Sequence, residues 1–155
     1  MNVGVVGNPN YPDLSALLAT LEQKASGVGI KLFTEEGIQS LWPNSTRAMA
    51  EAESLDCLIT LGGDGTLLRG ARLLNGADTP ILGLNLGRVG FLTTAAPDSL
   101  DWALDAIARR AYTIESRLAL QTTITGKGAK AGRVEPLVLN DVVVHKGGVA
   151  CVVRL

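Results

Sequence analysis

Short runs of consecutive apolar residues alternate, over the first two thirds of the chain, with stretches whose apolar positions return every three or four residues. The runs Val3 to Val6, Ile30 to Phe33, Cys57 to Leu61 and Pro80 to Leu84 are too short for helices and read as buried strands. Between the first two, Leu14, Leu17, Leu18, Leu21 and Ala25 keep a 3.6-residue period after Pro12-Asp13, and Gly27 and Gly29 end that helix. Leu67, Leu68, Ala71 and Leu74 define a second helix over 66–74, stopped by Asn75-Gly76. A third is predicted from about Asp98 to Arg110, with Leu100, Leu104 and Ile107 on one face. Its acids Asp98 and Asp101 lie near the positive end of the helix dipole and Arg109 and Arg110 near the negative end. Trp42-Pro43-Asn44-Ser45 reads as a loop with a helix cap, followed by a short helix to about Ser54. Strands alternating with amphipathic helices pair in parallel through crossovers, so an α/β layered domain is predicted over roughly the first 110 residues.

Beyond that point the pattern changes. Residues 112–125 and 136–145 are strand-like, joined by the small and polar stretch 126–132, and Val149 to Leu155 is strand-like again. No helical stretch separates them, so an antiparallel β region is predicted. The last apolar run is still open at Leu155, with neither turn nor polar tail, which predicts a truncated chain or the first part of a longer one.

Composition narrows the function classes. In 155 residues, 46% hydrophobic and 19% charged side chains fit a globular protein rather than a disordered one. A net charge of −1 offers no broad basic face for nucleic acid or an anionic membrane. No run is long enough to span a bilayer and the N-terminus lacks a leader pattern, which leaves the cytoplasm as the expected location. Cys57 and Cys151 both lie in apolar runs, and the single His145 has no second ligand at metal spacing, so neither a disulfide framework nor a structural zinc site is expected.

The chemistry concentrates where strand 57–61 meets Gly62-Gly63-Asp64-Gly65-Thr66 and a helix begins at once. A strand that turns through glycines into a helix N-terminus points free backbone N–H groups, and the positive end of the dipole, at a single place. That is a phosphate site. The plainer reading is a tight turn in which Asp64 caps the helix. An acid beside a phosphate cradle needs a reason, and holding a metal or taking a proton from an attacking hydroxyl would supply one. A second loop, Asn85-Leu86-Gly87-Arg88-Val89-Gly90-Phe91-Leu92, follows strand 80–84, so both loops lie at carboxyl ends of strands, where open α/β sheets bind ligands. Phe91 either offers an aromatic face there or packs beneath the loop. Asn140-Asp141 interrupts an apolar run, marking a bulge, a ligand or an exposed edge. Arg69 and Arg72 share a helix face, and Arg69 is the better placed to reach phosphate; a solvated face is the alternative, more so for Arg72. His145 and Lys146 read as turn residues and Glu115 with Arg117 as a strand pair. Neither GxxxxGK[ST] nor GxGxxG after the first strand is present, which excludes a P-loop enzyme and gives no support to redox use of a dinucleotide.

Taken together, GGDGTLLRGARLL at 62–74, GLNLGRVGFL at 83–92, Glu-Ser-Arg-Leu at 115–118 and LNDVVVHKG at 139–147 resemble the NAD kinase family, in the family's order and over nearly the whole chain. Diacylglycerol and sphingosine kinases and phosphofructokinases carry similar Gly-Gly-Asp-Gly turns; the later motifs make the resemblance specific. It implies a Rossmann-like parallel-sheet domain over 1–110, followed over 111–155 by the start of an all-β NAD-binding domain. It implies transfer of the γ-phosphoryl of ATP, accompanied by Mg²⁺, to the 2′-hydroxyl of the adenosine ribose of NAD. By that resemblance Asp64 is the base, and Gly62, Gly63, Gly65, Thr66, Arg69, Asn85 and Phe91 belong to the nucleotide site. Asn140 and Asp141 match the pair that holds NAD. Homo-oligomers of the full-length form are implied as well. The chain departs from the family at Cys151, where a basic or histidine residue is usual, and lacks the family's later Asp-Gly and Thr-Gly-Ser-Thr-Ala-Tyr motifs. The chain alone is therefore expected to have little or no kinase activity. A lipid or sugar kinase sharing the turn, or an inactive nucleotide-binding or oligomerisation module, are the alternatives.

Overall fold

The computed structural model describes residues 1–44, 46–87, 90–123 and 138–139. Met1–Ile114 forms one compact unit and Glu115–Leu155 another. In the first unit five strands, β1 (Asn2–Gly7), β2 (Lys31–Thr34), β3 (Arg47–Ala48), β4 (Cys57–Leu61) and β5 (Ile81–Leu84), make one parallel sheet. Three helices accompany them: α1 (Leu14–Gly27), α2 (Asp64–Leu74) and α3 (Leu100–Ala108). The strand order is β3-β2-β1-β4-β5. The chain therefore runs outward from β1 in one direction, returns, and continues from β4 in the other. β1 and β4 are the neighbours at which the strand order reverses, and the carboxyl ends of strands at such a point are where open parallel sheets take ligands.

The apolar pattern explains the elements. Every residue of β4 is buried, as are Val3, Val5 and Val6 of β1, because helices cover both faces of a parallel sheet. Leu14, Leu18, Leu21 and Ala25 form the buried stripe of α1, and Leu100, Leu104 and Ile107 that of α3. Each buried leucine contributes roughly 1.5–3 kcal/mol through apolar burial. Lys24 of α1 pairs with Asp101 of α3 at the surface, and Arg109 with Asp105 at 2.9 Å.

Three expectations are corrected. The helix expected before Ser54 is instead the two-residue strand β3, which pairs Phe33 with Arg47 and Thr34 with Ala48, and a single 3₁₀ turn, Met49–Glu51. The segment is too short for a helix to hold itself, and the open edge of β2 offers backbone partners. Residues 36–41, for which no element was expected, form a 3₁₀ helix whose Ile38 enters the core. The third helix starts as a 3₁₀ turn, Pro97–Ser99, and becomes α-helical only at Leu100. Trp42, expected in a loop, is in the loop but buried, donating its indole N–H to Thr34 Oγ1 at 2.8 Å.

In the second unit, the described residues show one antiparallel bridge, with Leu120 and Val138 exchanging two backbone hydrogen bonds of 2.8 Å. Residues 112–119 alternate like a strand but carry no strand pairing among the described residues, since alternation sets a face and does not provide a partner. Glu115 and Arg117 pair at 3.3 Å. Among the described residues no helix is long and apolar enough to cross a membrane.

Candidate functional site

The crevice at the carboxyl edge is laced together by backbone bonds that continue the sheet beyond its strands. Asn8 N–H donates to Leu61 C=O at 2.8 Å, Gly62 N–H to Leu84 C=O at 3.0 Å, and Asn85 N–H to Ala95 C=O at 2.7 Å. The loops after β1, β4 and β5 thus stand side by side, as the sequence predicts for the last two.

The glycines of the central turn are there for different reasons. A methyl group on Gly62 would overlap the Thr66 side chain, which folds back over the turn. Gly62 is glycine so that Thr66 fits. Nothing in the described protein lies within 4 Å of a methyl group added at Gly63 or Gly65, and neither has a positive φ. Among the described residues no contact and no backbone conformation requires glycine at either position, and the backbone there is open to approach. Helical hydrogen bonding begins with Thr66 and Leu67 N–H, both donating to Gly63 C=O at 2.9 and 3.2 Å. The preceding amides of Asp64 and Gly65 project from the positive end of α2 at that open surface.

Asp64 opens α2 and turns its carboxylate toward the loop after β5. Oδ2 accepts the Phe91 N–H at 2.8 Å, while Oδ1 accepts the N–H groups of Leu92 and Thr93 at 3.0 and 3.2 Å. Desolvation pushes this carboxyl upward, but the three backbone donors outweigh it and hold it below its ordinary value. A carboxylate has about four lone-pair positions, so this one keeps an acceptor position on Oδ2. Gly90 packs directly on the carboxylate, and any side chain there would overlap its oxygens.

Arg69 lies on the opposite flank. Its Nη2 pairs with Glu35 Oε1 at 2.7 Å and also donates to Gly7 C=O, while Glu35 Oε1 accepts Gly7 N–H at 3.0 Å. Acid and guanidinium together grip the peptide groups at the end of β1. The Glu35 side chain is 10% exposed and that of Arg69 42%, so the arginine retains a solvent-facing side. Sequence reasoning missed Glu35. The available signal was an acid directly after a buried strand, at the carboxyl edge where β1 and β4 also end. Arg72 is exposed, in agreement with a solvated face.

Asn85 Oδ1 accepts the Gly87 N–H at 2.9 Å and shapes the second loop. Phe91 is 94% exposed, which removes the reading in which it packs beneath that loop. Asn140, Asp141, His145, Lys146 and Cys151 lie outside the described residues. Cys57 is a buried thiol; burial pushes it up to about 11, the unreactive state expected of a core residue. Among the described residues no group of three metal-ligating side chains converges. Asp64 alone, with three acceptor positions taken, does not build a metal cage. Such a donor set fits only an ion that arrives with its own phosphate and water ligands.

An open parallel sheet with a glycine turn and a helix N-terminus at its switch point is the arrangement in which α/β proteins bind phosphate-bearing ligands. The family model of the ATP-NAD kinase N-terminal domain matches residues 3–112. The NAD kinase of Gemmatimonas aurantiaca is 42% identical over 154 residues, covering 99% of this chain and 53% of that protein. That of Syntrophotalea carbinolica is 32% identical, covering 99% and 54%. The chain belongs to the NAD kinase family. It spans about half the length of the curated relatives it matches. Among solved structures, yeast NADH kinase complexed with NADH shares the fold, with a TM-score of 0.69 at 19% identity over 90% of this chain and 47% of that one. An NAD kinase from Archaeoglobus fulgidus in complex with ATP gives a TM-score of 0.51 at 25% identity, over 72% and 38%.

Proposed function

We propose that this chain carries the phosphate-binding part of an enzyme that transfers the γ-phosphoryl of ATP to the 2′-hydroxyl of the adenosine ribose of NAD, giving NADP. The observation that supports it most is the pairing of an open backbone surface at Gly63 and Gly65 with the carboxylate of Asp64 beside it. Phosphate oxygens take the N–H groups at the start of α2, where a side chain would keep them away. The remaining acceptor position on Asp64 Oδ2 takes the hydrogen of the ribose hydroxyl and so aims an oxygen lone pair at the γ-phosphorus. As the new P–O bond forms and the bond to the β-phosphate oxygen breaks, the hydroxyl proton passes to Asp64 and ADP leaves. A depressed carboxyl is a weak base, yet it suffices where the transition state is loose and the hydroxyl becomes acidic late. Mg²⁺ would enter with ATP and spread the charge on the transferred group.

Arg69 presents its free side to phosphate, held by Glu35. Thr66 and Asn85 fix the two loops, and Phe91 offers an aromatic face to a nucleotide ring. Asn140 and Asp141 hold NAD in this reading. The complete polypeptide acts in the cytoplasm as a homo-oligomer, while the 155-residue chain alone turns over little or no substrate. The test is NADP formation from ATP and NAD, measured on the complete polypeptide and on this chain. Production by the complete polypeptide and near-absence from the chain is expected. No NADP from the complete polypeptide, or full activity from the chain, would overturn the respective part.

A further inference from the structure

Three consecutive backbone amides converge on one side chain, and the phosphoryl-transfer reading does not use them. Phe91, Leu92 and Thr93 donate to the Asp64 carboxylate at 2.8, 3.0 and 3.2 Å, and Gly90 lies flat against it. The carboxylate belongs to α2 and the amides to the loop after β5, so the contact joins two separate walls of the crevice. Hydrogen bonds to a charged acceptor are roughly twice as strong as neutral ones. At its far end the segment is held by the sheet, with Thr93 buried against Gly83 and the Thr94 and Ala95 N–H groups donating to Gly83 C=O. The Phe91 ring itself is 94% exposed, and a ring in water has no packing of its own to fix it.

We propose that Asp64, besides accepting the proton, is a positioning residue: it anchors the Gly90–Thr93 segment and thereby sets the Phe91 ring at the nucleotide site. The anchoring is independent of any activity, whereas its effect on substrate rests on the kinase reading. An asparagine at 64 is then a double lesion. Its single amide oxygen serves two of the three donors, and its NH₂ faces the third, donor against donor. An alanine at 90 breaks the same anchor from the other side while leaving the carboxylate chemically whole.

The experiment uses the complete polypeptide with Asp64→Asn, Gly90→Ala, Phe91→Ala and the two combinations with Phe91→Ala. Amide hydrogen exchange is followed at residues 91–93, with the β1 and β4 amides as the control for an intact fold. Affinity for NAD is measured by calorimetry without ATP. Exchange at 91–93 is expected to rise at least about tenfold in both anchor variants while β1 and β4 stay protected, the loss of one charge-assisted hydrogen bond being on that scale. NAD binding is expected to weaken about tenfold in both, with no further loss when either is combined with Phe91→Ala. Unchanged exchange at 91–93, unchanged NAD affinity, or full additivity with Phe91→Ala would each overturn the proposal. A base with no positioning role predicts wild-type NAD affinity for Gly90→Ala. Failure of the wild type to bind NAD would count against the kinase reading, and the exchange measurement would still decide the anchor.

Discussion

A methyl group on Gly65 separates what the fold needs from what the ligand needs. The position is in the first turn of α2, is exposed, and has no neighbour within 4 Å of the added carbon and no positive φ. Gly65→Ala therefore loses no contact and gains helix propensity, so stability rises by about 0.4–1 kcal/mol. That is an increase in melting temperature of roughly 1–4 °C. In the proposed function the same methyl group stands where phosphate approaches the backbone. Losing one hydrogen bond to a charged oxygen costs about 1.5–3 kcal/mol, or about 10- to 100-fold in kcat/KM for ATP. Gly62→Ala is the counterpart: its methyl group meets Thr66, and such overpacking destabilises by about 1–3 kcal/mol. Thermal melts and steady-state kinetics on the complete polypeptide give both quantities. A Gly65→Ala protein that is more stable and poorer with ATP is expected. One that keeps wild-type kcat/KM for ATP would refute the assignment of that surface to phosphate.

Three further outcomes follow from the geometry. Because the folded-state carboxyl of Asp64 is held below its ordinary 3.8, its contribution to stability is present above that pH and is lost as pH falls through the folded value. Asp64→Asn should therefore show a shallower loss of stability between about pH 5 and pH 2 in urea titrations; an unchanged slope would remove the anchoring bonds as its source. Glu35→Ala leaves the Gly7 N–H without its acceptor and Arg69 without its counter-charge and should destabilise by about 1–3 kcal/mol, read as a lower urea midpoint at unchanged slope, and a midpoint equal to wild type would contradict the pairing. Cys57, buried and pushed up to about 11, should react with a thiol reagent at the rate of unfolding in a Cys151→Ser background; rapid labelling of Cys57 there in native buffer would contradict its burial.

The parts of this fold that the sequence reveals are those in which local pattern and global environment coincide. β4 is buried at every position, and apolar at all but Thr60, because both its faces are covered, and α1 carries a leucine stripe because only one of its faces is. The strand–glycine–helix junction was legible for the same reason, since each residue in it has a local conformational meaning. β3 was not, because two residues joining a sheet edge carry no periodic signal and owe their conformation to β2. The role of Glu35 depends on partners 34 and 28 residues away, and that of Gly90 on a carboxylate in another element, so spacing alone could not supply them. The sequence marks Asp64 as a candidate acid, but its three backbone donors come from a loop whose approach only the folded sheet defines.

The central claim is that Asp64 takes the proton from the ribose hydroxyl during phosphoryl transfer, and turnover at saturating ATP and NAD isolates that step from any change in binding. Under those conditions Asp64→Asn should lower the rate of NADP formation by the complete polypeptide by about 10²–10⁴-fold. A variant that turns over at the wild-type rate would contradict the account.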